Sequence, residues 1–130
     1  DAVGDFEFSK KQLELLKDKA DIYSGNDNQT YDFVINGGVG VVSVASHVIG
    51  DEIAEMISFA KDNDLEKAEE INMQLSNLFE AIFEEPSPGP IKKILSESWE
   101  EVGEPLLPIT SITPELANKI RGFYKKIKEN

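Results

Sequence analysis

The stretch Gly37-Gly38-Val39-Gly40-Val41-Val42-Ser43-Val44 constrains this chain more than any other, because a glycine-rich turn runs directly into a continuous apolar segment. Val41, Val42 and Val44 are β-branched, and a short apolar run bounded by glycine has the composition of a strand covered on both faces, as parallel strands in α/β proteins are. A core strand is expected over residues 40–44. The preceding glycines provide a left-handed stop for a helix and close backbone approach without a Cβ penalty. Ending a helix is sufficient reason for them. As a phosphate cradle the Gly-Gly-x-Gly pattern is weak, since such cradles follow a strand and precede a helix, and here the order is reversed.

The flanking segments supply partners for that strand. Ser9-Lys10-Lys11-Gln12 has the form of a capping box, and Leu13 and Leu16 follow at helical spacing, so a short amphipathic helix is expected over residues 9–17. Residues 20–24 read as a strand, closed by the turn-forming cluster Gly25-Asn26-Asp27-Asn28. Tyr31, Phe33, Val34 and Ile35 make a brief helix that stops at Gly37-Gly38. Helix, strand, helix, strand is the alternation of a parallel sheet.

Beyond Val44 the pattern changes. Residues 45–50 read as a linking turn, and the rest as helical. Ile53, Ile57 and Ala60 mark one face of a helix over residues 51–63. Asp64 can cap the next, where Ala68, Ile71, Leu75, Leu78, Phe79 and Ile82 recur at three and four residues. Pro86-Ser87-Pro88-Gly89-Pro90 breaks that helix, and Pro90 suits the first turn of one carrying Ile91, Ile94 and Leu95. Residues 100–112 hold two prolines and no helical period, which predicts a structured loop. Thr113-Pro114-Glu115 then opens a last helix, with Leu116, Ile120, Phe123 and Ile127 on its apolar face.

Composition narrows the function classes. With 25 acidic and 13 basic residues, the net charge of −12 argues against nucleic-acid and anionic-membrane surfaces, which depend on clustered Lys and Arg. No cysteine excludes a disulfide framework, a thiolate nucleophile and a cysteine metal site, and agrees with a reducing cytoplasm. At 130 residues the chain is one domain or part of one, and short of a complete eight-stranded α/β barrel. Asp1-Ala2-Val3-Gly4-Asp5 carries neither an initiator methionine nor a basic leader, and reads as a cut end.

His47 is the only histidine and has no spaced partners, so a structural place in a turn accounts for it. Glu52, Glu55, Glu66, Glu69, Glu70, Glu80, Glu84 and Glu85 mostly fall off the apolar stripes, as a solvated face requires. No catalytic residue and no metal ligand set is read from the chain. Asn26, Asp27, Asn28 and Ser43 are better placed, because loops at the carboxyl ends of parallel strands hold substrate in α/β barrels. Helix capping would account for the same residues.

The segments Asp1-Ala2-Val3-Gly4-Asp5, Tyr23-Ser24-Gly25-Asn26-Asp27, Gly37 through Val44, Glu85-Pro86-Ser87-Pro88-Gly89-Pro90-Ile91-Lys92 and Leu107-Pro108-Ile109-Thr110 together resemble the C-terminal half of the dihydrodipicolinate synthase and N-acetylneuraminate lyase family, in order and at family spacing. The resemblance implies an α/β fold: a C-terminal fragment of a (β/α)8 TIM barrel, with its last two parallel strands in residues 1–63, followed by a mostly helical extension in residues 64–130. It also implies a class I aldolase reaction of lysine and diaminopimelate biosynthesis, in which a lysine forms a Schiff base with pyruvate and the enamine attacks aspartate semialdehyde. No separate cofactor is implied.

By resemblance, that lysine lies immediately before the segment matching Asp1, and the proton-shuttling tyrosine and carboxylate-binding threonines lie in the family's N-terminal half. What carries over is substrate binding: the backbone at Gly25 and Val42, with Asn26 and Ser43 beside them. Asn26 stands where the family has aspartate. Ser87 stands where its Asn-Pro-x-Pro motif has asparagine, which removes one contact to the aldehyde. Lys10, Lys92 and Lys93 show no desolvated setting that would make a substitute nucleophile. The expectation is a fragment inactive by itself and associating through exposed strand edges into a homo-oligomer. The alternatives are an autonomous acidic helical module for binding or assembly, or a piece of a related pyruvate aldolase such as N-acetylneuraminate lyase.

Overall fold

A computed structural model describes residues 1–129. The chain is mostly helical, with one two-stranded parallel sheet, and divides into two compact units: residues 1–44 with 51–72, and residues 45–50 with 73–129.

In the first unit, helix α1 spans Phe6–Leu16 and starts three residues before the expected position. Its cap is Asp5, whose carboxylate accepts from the Phe8 amide at 3.2 Å. Ser9 is instead buried one turn inside, where its hydroxyl donates to Asp1 Oδ2 at 2.7 Å and to the Asp5 carbonyl at 3.1 Å. A serine that hydrogen-bonds back along its own helix is unavailable as a cap, so the capping-box pattern misplaced the start.

Strands β1 (Tyr23–Ser24) and β2 (Gly40–Val41) pair in parallel, Tyr23 opposite Gly40 and Ser24 opposite Val41. Both are shorter than their apolar runs. The ladder extends by the Val39 amide to the Ile22 carbonyl at 2.9 Å and the Val42 amide to the Ser24 carbonyl at 2.8 Å. Asp1 lies on the other side of β1, its amino group donating to the Tyr23 carbonyl at 2.8 Å and its carbonyl accepting from Gly25 at 2.6 Å, the two bonds a parallel neighbour makes around Ser24. The expectation of a strand covered on both faces fails in this chain. Val42 is 74% exposed, Tyr23 is exposed, and Val41 and Val44 are half-buried.

Between the strands, a 3-10 turn (Asp27–Gln29) leads into α2 (Thr30–Ile35). Helix α2 ends as the glycines predict: Gly37 takes φ +102° and its amide bonds the Val34 carbonyl at 3.0 Å, while the Gly38 amide bonds Phe33 at 2.9 Å. Gly38 is also required sterically, since a Cβ there would lie 2.3 Å from Phe33 Cδ1. Val34, Ala60 and Ala68 form a buried cluster with Tyr31, Ile57 and Phe59 against it. Burial, reinforced by Glu69 and Asp32, pushes the Tyr31 phenol above its ordinary value.

Helix α3 (Ser46–Lys61) holds a break at Ile49, which has φ −131° and ψ 38°. Residues 45–50, expected as a linking turn, thus wind as a helical turn, with Val48 and Ile49 amides on the Ala45 carbonyl at 3.0 Å. Asn63, at φ +61°, ends α3 in the left-handed conformation, and Asp64 begins α4 (Leu65–Ala81) by accepting from the Ala68 amide at 3.1 Å.

In the second unit, Leu75, Leu78, Phe79 and Ile82 are buried as their spacing requires. Helix α5 (Gly89–Ser98) has Pro90 in its first turn, and α6 (Pro114–Lys128) is capped by Thr113. Glu84 and Glu85 are not the purely solvated carboxylates expected. Glu84 pairs with Lys119, and Glu85 accepts from the Thr113 amide at 3.1 and 3.2 Å and from its hydroxyl. Arg121 makes a two-pronged bond to Glu97 at 2.9 and 2.7 Å, tying α6 to α5.

Candidate functional site

Because β1 and β2 run in the same direction, the loops that follow them emerge at one end of the sheet, where parallel α/β sheets bind ligands. The Ser24–Val41 register puts the next residues, Gly25 and Val42, at that end together. Gly25 gives its N–H to Asp1 and Val42 gives its N–H to Ser24. Each residue is therefore left with its carbonyl oxygen to offer, an acceptor suited to hydroxyl, ammonium or water. Gly25 admits no larger residue, since a Cβ would lie 2.6 Å from Ala2 Cβ and 3.1 Å from the Asp1 carbonyl.

The loop after β1 is held by polar groups that are themselves buried. Ser24 Oγ accepts from the Asn26 amide at 3.1 Å and donates to the Asn26 carbonyl at 3.0 Å, and Thr30 Oγ1 donates to the same carbonyl at 3.2 Å. Asn26 Nδ2 reaches Gln29 Oε1 at 3.4 Å, and Gln29 in turn donates to the Gly4 carbonyl at 2.8 Å. The Asp27 side chain is buried at 2% exposure, and its Oδ2 accepts from the Val44 amide at 3.1 Å. One carboxylate thus fastens the loop after β1 to the residues after β2.

Of the residues singled out in the sequence, Gly25, Asn26, Asp27, Val42 and Ser43 fall together at this end, while Asn28 points into solvent two residues along. Asn26 makes no side-chain cap bond to the turn that follows. His47 is exposed on the first turn of α3. Lys92 donates to the Glu104 carbonyl at 3.1 Å, Lys93 pairs with Glu97 at 3.2 Å, and Lys10 is exposed, so none sits in a desolvated nucleophile's setting. Sequence reasoning missed the parts played by Ser24 and Thr30. Their signal is small hydroxyl residues flanking a turn cluster, a pattern that capping produces equally often.

A hollow of about 1110 Å³ in the first unit is not at this end. It is lined by Lys10, Glu14, Lys17 and Asp21 together with Ile22 and Val39, on α1 and ahead of the two strands, and does not reach the loops described above. Among the described residues no cluster of three metal-ligating side chains occurs, and no helix is long and apolar enough to cross a membrane.

Comparison with known proteins gives a consistent result. The chain is 31% identical over 129 residues to the 4-hydroxy-tetrahydrodipicolinate synthase of Listeria monocytogenes, covering 99% of this chain and 44% of that enzyme. It is 44% identical over 100 residues to the enzyme of the same name from Thermosynechococcus vestitus, covering 77% of this chain and 34% of the relative. The crystal structure of the dihydrodipicolinate synthase of Cyanidioschyzon merolae with lysine bound superposes with a TM-score of 0.91 at 35% identity, over 98% of this chain and 43% of that one. The chain spans less than half the length of these relatives. With the pattern of the dihydrodipicolinate synthetase family matching residues 1–127, the chain belongs to that family.

Proposed function

We propose that this chain supplies one wall of the active site of a 4-hydroxy-tetrahydrodipicolinate synthase, the enzyme that condenses pyruvate with aspartate semialdehyde in lysine and diaminopimelate biosynthesis. The observation that carries the reading is the juxtaposition of Gly25 and Val42 at the carboxyl ends of adjacent parallel strands, each with its N–H engaged and its carbonyl to offer. On this reading β1 and β2 are the last two strands of a (β/α)8 barrel, residues 1–63 hold the final βα units, and residues 64–130 form the helical extension.

The reacting lysine of such an enzyme would precede the segment matching Asp1. Its imine with pyruvate withdraws electrons from the methyl carbon, and loss of a proton there gives the enamine that attacks the aldehyde. The carbonyls of Gly25 and Val42 would accept from the protonated and hydroxyl-bearing species at the pyruvate end, with Asn26 and Ser43 facing the incoming aldehyde. Val in place of the family's isoleucine at position 42 is immaterial to a main-chain contact. A cytoplasmic setting accords with the absence of cysteine, and the outer edge of β2 with assembly of copies.

Borohydride reduction in the presence of pyruvate tests this. The full-length protein is expected to gain the mass of one reduced pyruvate on a lysine outside residues 1–130, and this chain alone to gain none and to show no condensation. An adduct on Lys10, Lys92 or Lys93 of the isolated chain would overturn the assignment.

A further inference from the structure

We propose that Asp27 is a positioning residue of this site, which fixes the carbonyls of Gly25 and Val42 relative to one another by holding the Val44 amide, without touching substrate; the proposal rests on the function proposed above. A carboxylate buried to 2% exposure is costly unless it is satisfied by strong donors, so its place in the loop calls for a structural return. The Val44 bond connects residues 17 apart in sequence and spans the two loops.

The end of β2 is pinned at two points. Val42 is attached to β1 through its amide on the Ser24 carbonyl, and Val44 is attached through Asp27, so the peptide planes between them, which carry the Val42 and Ser43 carbonyls, are fixed from both sides. On the opposite loop, Gly25 is fixed between the Asp1 carbonyl and the Ser24–Asn26 bonds, directly ahead of Asp27. Removing the carboxylate takes away the bond at Val44 and leaves the one at the Val42 amide in place. Hydrogen bonds to an ionised acceptor are roughly twice as strong as neutral ones, which suits a fastening that has to hold carbonyls to within an ångström.

The test compares Asp27→Asn, which retains an acceptor oxygen of similar reach, with Asp27→Leu, which fills the space without one, both in the full-length protein. Amide exchange at residues 42–46, the Michaelis constant for pyruvate, and borohydride trapping are read side by side. Asp27→Leu is expected to speed exchange at the Val44 amide and to raise KM for pyruvate roughly ten- to a hundred-fold, the scale of a misplaced contact, while one pyruvate is still trapped. Asp27→Asn should fall between it and the unmodified protein in both readouts, and carries the test if the leucine variant does not fold. General destabilisation would lower the active fraction and leave KM unchanged.

Faster exchange with an unaltered KM would overturn the role and leave Asp27 a structural fastening. Unaltered exchange would overturn it as well. No pyruvate adduct on the unmodified protein would overturn the function proposed above and this role together, whereas an adduct with unaltered KM in both variants overturns this role alone.

Discussion

Gly25, in the site, and Gly38, at the far end of β2, show how a single atom limits close approach. At Gly38 a methyl would overlap the Phe33 ring, at 2.3 and 2.9 Å from its carbons, and Phe33 is buried at 1% exposure with no room to withdraw. Gly38→Ala is therefore expected to cost about 1–3 kcal/mol, the usual scale for overpacking a filled core. Gly37→Ala would be strained for a different reason, its φ of +102°, although nothing lies near its Cβ. Urea unfolding of both variants checks the first claim, and a near-neutral Gly38→Ala would mean that the Phe33 contact is not maintained. The Gly37–Gly40 cluster was legible in the sequence as a helix stop followed by a strand. The ring against Gly38 was not, because close approach between a turn and its own preceding helix leaves no periodic trace.

At the scale of elements, periodicity was a better guide to helices than local signals were to their ends. Of the stripe expected in and just beyond α4, Ala68, Leu75, Leu78, Phe79 and Ile82 are buried and Ile71 is half-buried, and Phe79→Ala should cost about 3–5 kcal/mol. A loss under 1 kcal/mol in thermal unfolding would put Phe79 outside the core. By contrast, the capping-box pattern puts a helix start at Ser9, and residues 45–50 read as a linking turn. A bond from the Ser9 hydroxyl to Asp1 takes Ser9 out of the capping role, and local helical bonds from Val48 and Ile49 to the Ala45 carbonyl wind the linking turn. Strand lengths failed for a related reason, since an apolar run shows which residues can be buried but not how many find a ladder partner.

The same scale yields a pH dependence. The Arg121 guanidinium, with Lys93 beside it, holds the Glu97 carboxyl below its ordinary value, although burial opposes this. A carboxyl with a depressed folded pKa contributes stability that is present above its unfolded value and is lost as pH falls through the folded one. Stability of the unmodified protein should therefore fall on acidification below about pH 4–5, the ordinary carboxylate region, and part of that slope should disappear in Arg121→Met. The pair is solvent-exposed, so the change in slope is expected to be small and to shrink further in high salt. Parallel acid titrations of the two proteins, followed by circular dichroism, measure it.

For the whole molecule, the exposed apolar residues decide what the isolated chain does. Val3, Tyr23 and Val42 lie on or beside a two-stranded sheet, 61%, 48% and 74% exposed, and a pair of strands this short is marginal without further neighbours. The backbone groups at the outer edge of β2 add a second incentive to pair. Opposing both is a net charge of −12, which repels like copies but is screened over about 8 Å at physiological salt. Contact forces between apolar side chains act within that distance and are not weakened by salt, so screening removes the repulsion and leaves the attraction. We expect this chain, purified alone at low micromolar concentration, to sediment above monomer mass, more so in 0.5 M than in 0.05 M sodium chloride. Val42→Lys, which puts a charge in the middle of the open face, should return it to monomer without loss of helix signal. Adding in trans the N-terminal half of a related dihydrodipicolinate synthase should compete for the same face and dissolve the self-association, whereas a well-folded monomer at every salt concentration would show that the strands are covered by the chain itself.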